Sequence, residues 1–386
     1  MTGFIPYGRQ DISEDDIAAV RAVLESDFLT TGPAIARFEQ AVMDRTGAAH
    51  AVAVNSATSA LHIACLALDV GPGDMVWTVP NTFVASANCA LYCGADVDFV
   101  DTDPATWNMC ADALATKLEA AEKNGGRKPK AVIPVDFAGR SCDMAAIRAL
   151  AQQYGFAVIE DASHAIGGSY NNRPVGCGDL ADITVFSFHP VKIVTSAEGG
   201  MAVTNDPSLA RRMESLRSHG VTRVESEMEG PSDGPWYYQQ TSLGLNYRMT
   251  DMQAALGASQ MDRLQDFVDR RHVLARRYDD LLADLPLQRP APDAPGSLSA
   301  LHLYPVVVDP TRRRAVFEHL RAHQIGVNVH YIPVHLQPWY RKMGFAPGDF
   351  PNAEAYYAGA ISLPMYPGLT EVQQDYVVQV LGDALA

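Results

Sequence analysis

A lysine and an aspartate stand at the ends of two apolar segments. Lys192 follows DITVFSF (182–188), and Asp161 ends FAVIED (156–161), with His164 shortly beyond it. Such segments are typical of buried strands, and ligands of open α/β sheets bind at the carboxyl ends of the strands. We therefore expect these side chains to lie in one site.

This pair of side chains suits one particular cofactor. A lysine amine forms a Schiff base with an aldehyde, and an aspartate keeps a pyridine nitrogen protonated, so that the ring accepts electrons from a substrate carbanion. Pyridoxal phosphate (PLP) needs both partners. Alone, Lys192 would be typical of a solvated loop and Asp161 of a helix cap or turn. Together they indicate a PLP site.

A turn of small polar residues suits the phosphate of such a cofactor. The segment AVAVNSATSALH (51–62) indicates a strand, a turn over residues 55–58 and the start of a helix. A helix N-terminus presents unpaired backbone N–H groups, which bind anions. By itself this pattern is only a capped helix start. It indicates a phosphate site only in combination with Lys192 and Asp161.

Strand-like segments alternate with helical patterns over the first 205 residues. The strand-like segments are AVAV (51–54), DMVWTVP (74–80), AVIPVDF (131–137), FAVIED (156–161), DITVFSF (182–188) and GMAVTN (200–205). Strands that are apolar on both faces and separated by helices predict a parallel or mixed sheet with helices on both sides. The predicted fold class is therefore α/β.

A second, smaller unit is predicted beyond the sheet. Apolar residues recur at three- or four-residue steps from Asp251 to Leu285, which predicts one long helix ended by the prolines that follow. Three elements come after it: a strand (303–308), a helix (311–323) and a strand (325–333). We therefore divide the chain into a large domain, 1–250, and a linking helix with a small domain, 251–386.

The composition excludes several classes of protein. Of the 386 residues, 47% are hydrophobic and 19% charged, which is typical of a globular protein and not of a disordered one. The net charge of −15 argues against binding to nucleic acid or an anionic membrane, because both require a cationic face. The N-terminus does not have the pattern of a signal peptide, and no apolar run approaches a membrane span. We therefore expect a cytoplasmic protein.

No metal site is predicted. The six cysteines form no CxxC pair and lie in apolar or small-residue stretches, which favours packed thiols. In HYIPVH (330–335) the two histidines would lie on opposite faces of a strand, and no carboxylate accompanies them.

Six segments resemble those of the sugar aminotransferases of the DegT/DnrJ/EryC1/StrS family, PLP-dependent enzymes of fold type I. They follow the family's order and cover nearly the whole chain. The segments are FLTTGP (28–33), NSATSALH (55–62), NTFVASAN (81–88), EDASHAIG (160–167), FSFHPVKIVTSAEGG (186–200) and LGLNYRMTDMQAALG (243–257). The resemblance implies a large mixed-sheet α/β/α domain followed by a smaller α+β domain.

The resemblance also implies roles for single residues. It makes Lys192 the Schiff-base lysine and Asp161 the partner of the pyridine nitrogen. The other implied cofactor contacts are Ala57, Thr58 and Ser187 at the phosphate, Phe83 stacked on the ring, His164 beside the ring, and Asn246 at the phosphate of the partner subunit's site. The last contact implies a homodimer with shared sites. The residues implied to line the sugar pocket are Tyr7, Thr31, His330 and Tyr331.

A narrower resemblance concerns the substrate. Residues 234–257, 327–345 and 350–370 are similar to the branch of the family that makes UDP-4-amino-4,6-dideoxy-N-acetyl-β-L-altrosamine, a precursor of pseudaminic acid. This implies transfer of an amino group from glutamate, which leaves as 2-oxoglutarate, to C4 of a UDP-linked 4-keto-6-deoxy-N-acetylhexosamine. Relatives that act on perosamine or bacillosamine precursors share the core motifs, so these nucleotide sugars remain alternatives.

Two other classes of function fit the sequence less well. A PLP lyase or desulfurase requires a mobile nucleophilic cysteine, and none of the six lies in a recognisable site motif. A non-catalytic nucleotide-sugar binding protein on the same fold is expected to lose Lys192 or Asp161, and this chain keeps both.

Overall fold

A seven-stranded sheet between two layers of helices forms the larger part of the molecule. The structure is a computed structural model that describes residues 3–386, so Met1 and Thr2 of the predicted first domain lie outside the described residues. The helices are α1 (Glu14–Leu24), α2 (Pro33–Thr46), α3 (Ala57–Ala67), α4 (Ala85–Tyr92), α5 (Ala111–Lys123), α6 (Met144–Tyr154), α7 (Pro207–Arg217), α8 (Asp251–Asp262), α9 (Leu264–Leu281), α10 (Arg313–Ala322), α11 (Pro338–Arg341), α12 (Pro351–Gly359) and α13 (Glu371–Leu385).

The strands are mostly short and buried. They are β1 (His50–Val54), β2 (Met75–Thr78), β3 (Asp96–Phe99), β4 (Ala131–Ile133), β5 (Ala157–Asp161), β6 (Ser169–Tyr170), β7 (Arg173–Pro174), β8 (Ile183–Ser187), β9 (Gly200–Thr204), β10 (Val221–Thr222), β11 (Gln239–Gln240), β12 (Tyr304–Val307) and β13 (Ala360–Leu363). Short 3₁₀ turns lie at Phe137–Gly139, Glu225–Glu227 and Val334–Leu336.

The large sheet has the strand order β1-β9-β8-β5-β4-β2-β3. The pairs β2/β3, β2/β4, β4/β5 and β5/β8 are parallel, whereas β9 runs antiparallel to both of its neighbours. Alternate residues of β5 pack on opposite sides: Ile159 packs with α3 and α4, and Val158 with α5 and α6. The predicted mixed sheet with helices on both sides is confirmed. Strand β3, with its two aspartates, is an edge strand that the apolar pattern did not predict.

The single long helix predicted for residues 251–285 is wrong. The chain forms two helices, α8 and α9, which meet at Arg263, and α9 ends at Leu281, before the first proline. Helix α8 packs against α1 and α2, whereas Leu274 and Tyr278 of α9 belong to the core of the smaller unit. The backbone leaves helical geometry at Arg263, where ψ is 6°, and the Arg263 side chain is ion-paired there with Asp11 and Asp16.

The second strand predicted for the smaller unit, 325–333, is also wrong. Strand β12 pairs antiparallel with β13 instead, and helices α9, α10 and α13 pack around this two-stranded sheet. The 325–333 segment makes two isolated bridges, one from Ile325 to Ile5 and one from Asn328 to Ser362. Its apolar alternation is real, since Ile325 and Val327 are buried, but within residues 3–386 it pairs with each neighbour at one position only.

The division at residue 250 stays a prediction. Helix α8, beyond that residue, packs against α1 and α2 of the first part, and Ile5, near the start of the chain, is buried in the core of the smaller unit.

Two helical glycines test the packing between α8 and α2. A Cβ on Gly257 of α8 would lie 2.6 Å from the Phe38 ring of α2, whereas on Gly382 of α13 it would meet nothing closer than Leu285 at 3.7 Å. We expect Gly257→Ala to lower the free energy of unfolding by about 1–3 kcal/mol through overpacking. The control, Gly382→Ala, should raise it by up to about 1 kcal/mol because alanine favours the helix. Urea unfolding that gives both variants the same sign would contradict this packing.

Candidate active site

A cavity of about 550 Å³ lies at the carboxyl ends of β5 and β8. The start of α3 and the segment that leads into α4 line it, and the 328–331 segment of the smaller unit covers it. This is the end of the sheet at which the sequence places Lys192 and Asp161, and both residues line the cavity. The predicted meeting of the two groups is therefore observed.

Lys192 lies in the turn that leaves β8. Its backbone N–H donates to the His189 carbonyl at 2.9 Å, and the turn closes where Phe188 N–H donates to Gly199 O at 2.9 Å. The side chain is half-buried and lines the cavity. Burial lowers the pKa of the Lys192 amine to about 7, against the opposing effect of the Asp161 carboxylate. A large fraction of the amine is therefore neutral and nucleophilic near neutral pH.

Asp161 is held by donors on both of its carboxylate oxygens. Its Oδ2 accepts from the Ser86 hydroxyl at 2.7 Å, and its Oδ1 accepts from the hydroxyl and the backbone N–H of Ser163 at 2.5 and 3.2 Å. The residue is only 5% exposed. These bonds fix the orientation of the carboxylate toward the cavity.

Helix α3 points its N-terminus at the cavity. Ser56 caps the helix by accepting from Ser59 N–H at 3.2 Å, and Ala57 and Thr58 are the first helical residues. Their N–H groups have no carbonyl partner within the helix, and the helix dipole adds positive potential there. Ser187, at the end of β8, lines the same cavity. This arrangement fits a phosphate group.

Strand β9 brings Gly200 against this helix start. A Cβ on Gly200 would lie 2.5 Å from the Ala57 nitrogen and would also clash with the Ser56 carbonyl carbon. Only glycine at this position lets the strand and the helix N-terminus approach so closely.

His164 lines the cavity and has one hydrogen-bond partner at each ring nitrogen. The Nδ1 of His164 accepts from Ala138 N–H at 3.2 Å, and its Nε2 lies 3.2 Å from the Tyr331 hydroxyl. Burial holds the pKa of His164 well below its usual value, so the ring is neutral. Because Nδ1 accepts, the ring proton sits on Nε2 and is donated to the Tyr331 oxygen. The Tyr331 proton is therefore free to be donated to a ligand.

The remaining predicted residues divide between two locations. Phe83, 60% exposed, lines the cavity with its ring centroid 6.4 Å from that of Tyr331, and Tyr7 and His330 also line it. Thr31 and Asn246 do not line the cavity of their own chain, and both are exposed.

Sequence reasoning missed Ser86 and His302. Ser86 lies three residues after Phe83 and lines the cavity, but its bond to Asp161 joins residues 75 apart in the chain. The buried His302 ring lies 4.4 Å from that of His164, and no hydrogen bond to its Nδ1 is present in the described part of the chain. No local pattern identifies either residue, because each acquires its neighbours only through packing.

Within residues 3–386, no group of three or more His, Cys, Asp or Glu side chains is arranged to hold a metal ion. His335 pairs with Glu354 at 2.9 Å, and His330 bonds Ser362 at 2.8 Å, so the two histidines have separate partners. The six cysteines are free thiols. In the same part of the chain, no helix combines the length and the apolar character needed to cross a membrane.

The fold and the site together define a PLP-dependent aminotransferase of fold type I. The chain belongs to the DegT/DnrJ/EryC1/StrS aminotransferase family, which it matches over residues 10–382. The predicted fold, family and cofactor are confirmed. The protein is therefore a PLP-dependent sugar aminotransferase, and it requires an amino donor and a sugar substrate.

Several known proteins are similar over nearly their whole length. The spore coat polysaccharide biosynthesis protein SpsC of Bacillus subtilis is 41% identical, with 98% of this chain and 97% of SpsC covered. Helicobacter pylori PseC, an aminotransferase involved in the biosynthesis of pseudoaminic acid, superimposes with a TM-score of 0.90 at 30% identity, covering 99% of both chains. Spr1654 of Streptococcus pneumoniae, in its PMP form, gives 0.89 at 31% identity over 98% of both chains.

Gly200→Ala tests the close approach of β9 to the phosphate site. The new methyl would displace the start of α3, and we expect PLP affinity to fall at least about tenfold, because helix N–H groups bind anions only when correctly directed. Cofactor titration followed by absorbance measures it, with circular dichroism as a check on folding. Gly71→Ala is the control, since its Cβ would meet no atom within 4 Å. Equal affinities of the two variants would rule out this role for Gly200.

Proposed function

We propose that the enzyme transfers an amino group from glutamate to C4 of a UDP-linked 4-keto-6-deoxy-N-acetylhexosamine, forming UDP-4-amino-4,6-dideoxy-N-acetyl-β-L-altrosamine for pseudaminic acid synthesis. The similarity to PseC, which extends over 99% of both chains with a TM-score of 0.90, carries this proposal. The resemblance of residues 234–257, 327–345 and 350–370 to the same branch supports it.

Lys192 acts as the proton carrier of the reaction. PLP, when bound, supplies an aldehyde that binds amines and a ring that takes up electrons from the substrate carbanion. The Lys192 amine, with a pKa of about 7, would accept the Cα proton of glutamate at Nζ and pass it on to the cofactor in the first half-reaction. In the second half-reaction Nζ would move a proton in the reverse direction, from the cofactor to C4 of the sugar. Ping-pong kinetics follow from the two half-reactions.

The other cofactor contacts hold the ring in place. Asp161, fixed by Ser86 and Ser163, provides a negative charge for the pyridine nitrogen. Ala57, Thr58 and Ser187 would hold the phosphate, where the helix start supplies N–H donors. Phe83 would stack on the ring, and His164 would lie beside it.

The sugar occupies the part of the cavity near the smaller unit. Tyr331 offers its free hydroxyl proton there, and His330, whose pKa burial lowers to about 3, is a neutral neighbour. Tyr7 lines the same wall, and Thr31 would reach the sugar from outside the cavity. Among the described residues, the lining contains one lysine and no arginine. The anionic groups of the ligands therefore rely on the N–H groups at the start of α3, on hydroxyls, and on a further donor from elsewhere.

The homodimer supplies such a donor. Asn246 is exposed and lies outside the cavity of its own chain, which is the position expected of a residue that reaches the phosphate in the partner subunit's site. Other nucleotide sugars, of the perosamine or bacillosamine type, are the alternative substrates on the same site. A non-catalytic nucleotide-sugar binding protein is disfavoured by the enclosed Lys192.

Lys192→Ala tests the role of the lysine. We expect the purified wild-type protein to be yellow and glutamate to bleach the visible band of its cofactor, whereas the variant should lose turnover by at least about 10⁴-fold because the proton carrier is gone. The exposed Lys342→Ala is the control and should keep wild-type rates. Turnover of a keto sugar by Lys192→Ala at the wild-type rate would refute the mechanism.

Mass spectrometry of the products tests the substrate. A panel of UDP-, GDP- and dTDP-linked 4-keto-6-deoxy sugars should yield an amino sugar most rapidly from the UDP-linked N-acetylhexosamine. A preference for a GDP or dTDP sugar would remove the altrosamine assignment and leave the aminotransferase activity intact.

Mixed dimers test the shared site. Lys192→Ala and Asn246→Ala subunits each lack one component, but a mixed dimer with Asn246 acting across the interface contains one site that has both. Mixing equal amounts should therefore restore about a quarter of the wild-type activity, since half of the dimers are mixed and each has one complete site. No restoration, with mixed dimers demonstrated by mass, would place Asn246 in its own subunit's site.

A further inference from the structure

Two buried carboxyl groups lie behind the cavity, on the other side of the sheet. Glu160 precedes Asp161 on β5, and because side chains alternate along a strand it points away from the cavity, on the face that Val158 shares with α5 and α6. Asp136 follows β4 in the neighbouring turn. Glu160 is 5% exposed and Asp136 is fully buried, and the two carboxyl groups lie within hydrogen-bonding reach of each other.

The hydrogen bonds of this pair leave one oxygen without a donor. Glu160 Oε2 accepts from the Thr184 hydroxyl at 2.8 Å, and Asp136 Oδ1 accepts from Cys142 N–H at 2.9 Å. Asp136 Oδ2 is buried and has no donor among the described residues. Two ionised carboxylates would repel each other here, because desolvation strengthens their interaction. A proton on Asp136 Oδ2 that is donated in a hydrogen bond to Glu160 gives this oxygen a partner. It also leaves the pair with one negative charge instead of two.

The direction of the pKa shifts agrees with this geometry. Burial, and next the Glu160 charge, raise the pKa of Asp136 well above its usual range. Burial raises the pKa of Glu160 to about 7, against the opposing bonds from Thr184 and Asp136. Tyr170, Arg173 and Cys177 line a small cavity together with Glu160. Cys142 lies beside Asp136, and the charge of Asp161, on the opposite face of β5, also acts on the pair.

The pair is tied to the backbone that carries the catalytic groups. Asp136 N–H donates to Asp161 O at 3.1 Å, and Asp161 N–H donates to Pro134 O at 2.9 Å. Glu160 reaches Thr184 on β8, the strand that leads to Lys192. We propose that Asp136 and Glu160 share one proton and form a positioning pair that aligns the ends of β4, β5 and β8 behind Asp161. The functional part of this proposal rests on the proposed role of Asp161.

Infrared difference spectra test the shared proton. At pH 8 the wild-type protein should show the carbonyl stretch of a protonated carboxyl, and this band should be absent from Asp136→Asn. Asp16→Asn is the control, because Asp16 is equally buried but ion-paired with Arg263 at 2.6 Å and has a lowered pKa. Its spectrum should keep the band. A wild-type spectrum without the band would overturn the proposal.

The pH dependence of stability tests the same proton by a second readout. A carboxyl whose pKa is raised on folding stabilises the protein below its unfolded pKa, near about 4, and this contribution is lost as the pH rises toward the folded pKa. The amide of Asp136→Asn donates permanently to Glu160. Between pH 5 and 8, the folding equilibrium constant of the wild type should therefore fall relative to Asp136→Asn by up to about tenfold per pH unit. Parallel curves would overturn the proposal.

Rescue by the conservative variant tests the positioning role. Asp136→Leu removes the donor, and we expect kcat to fall at least about tenfold with KM for glutamate within about threefold, whereas Asp136→Asn should stay near wild type. Equal activity of the two variants would overturn the positioning role. If Asp136→Leu does not fold, the comparison of the wild type with Asp136→Asn between pH 5 and 8 tests the shared proton instead. The infrared and stability measurements need no substrate, so they remain informative if the proposed function fails.

Discussion

The site depends on keeping a lysine amine and a carboxylate together in one desolvated cavity. Burial favours the neutral form of Lys192, and Ser86 and Ser163 donate hydrogen bonds that hold the Asp161 carboxylate in place. A less enclosed cavity would leave the amine protonated and weaken its reactivity. The packing of the smaller unit over the ends of β5 and β8 therefore affects the reactivity of Lys192 as well as the stability of the protein.

The topology of the sheet explains how distant segments converge. Strands β5 and β8 are parallel neighbours, so the residues at their carboxyl ends open onto the same edge. The antiparallel β9 returns between β8 and β1 and places Gly200 against the start of α3. The amine, the carboxylate and the phosphate site are thus set by one sheet, and a shift in one strand would affect all three.

Charge acts locally in this protein. The chain has a net charge of −15, yet its cofactor is an anion. Net charge governs attraction over the whole surface, whereas helix N–H groups and one enclosed amine act within a Debye length of about 8–10 Å. The composition therefore argues against extended polyanions, and it is compatible with a small phosphorylated ligand held at the N-terminus of α3.

The sequence by itself determined six of the seven strands of the sheet, the helix start after β1, and the identity of Lys192 and Asp161, because apolar periodicity and short motifs are local properties of the chain. Only the tertiary structure decided the break between α8 and α9 at Arg263, whose side chain pairs with Asp11 and Asp16 near the start of the chain. It also decided the bond from Ser86 to Asp161 and the pairing of Asp136 with Glu160. Those contacts join segments far apart in the chain, and their energies exist only after the sheet and helices have packed.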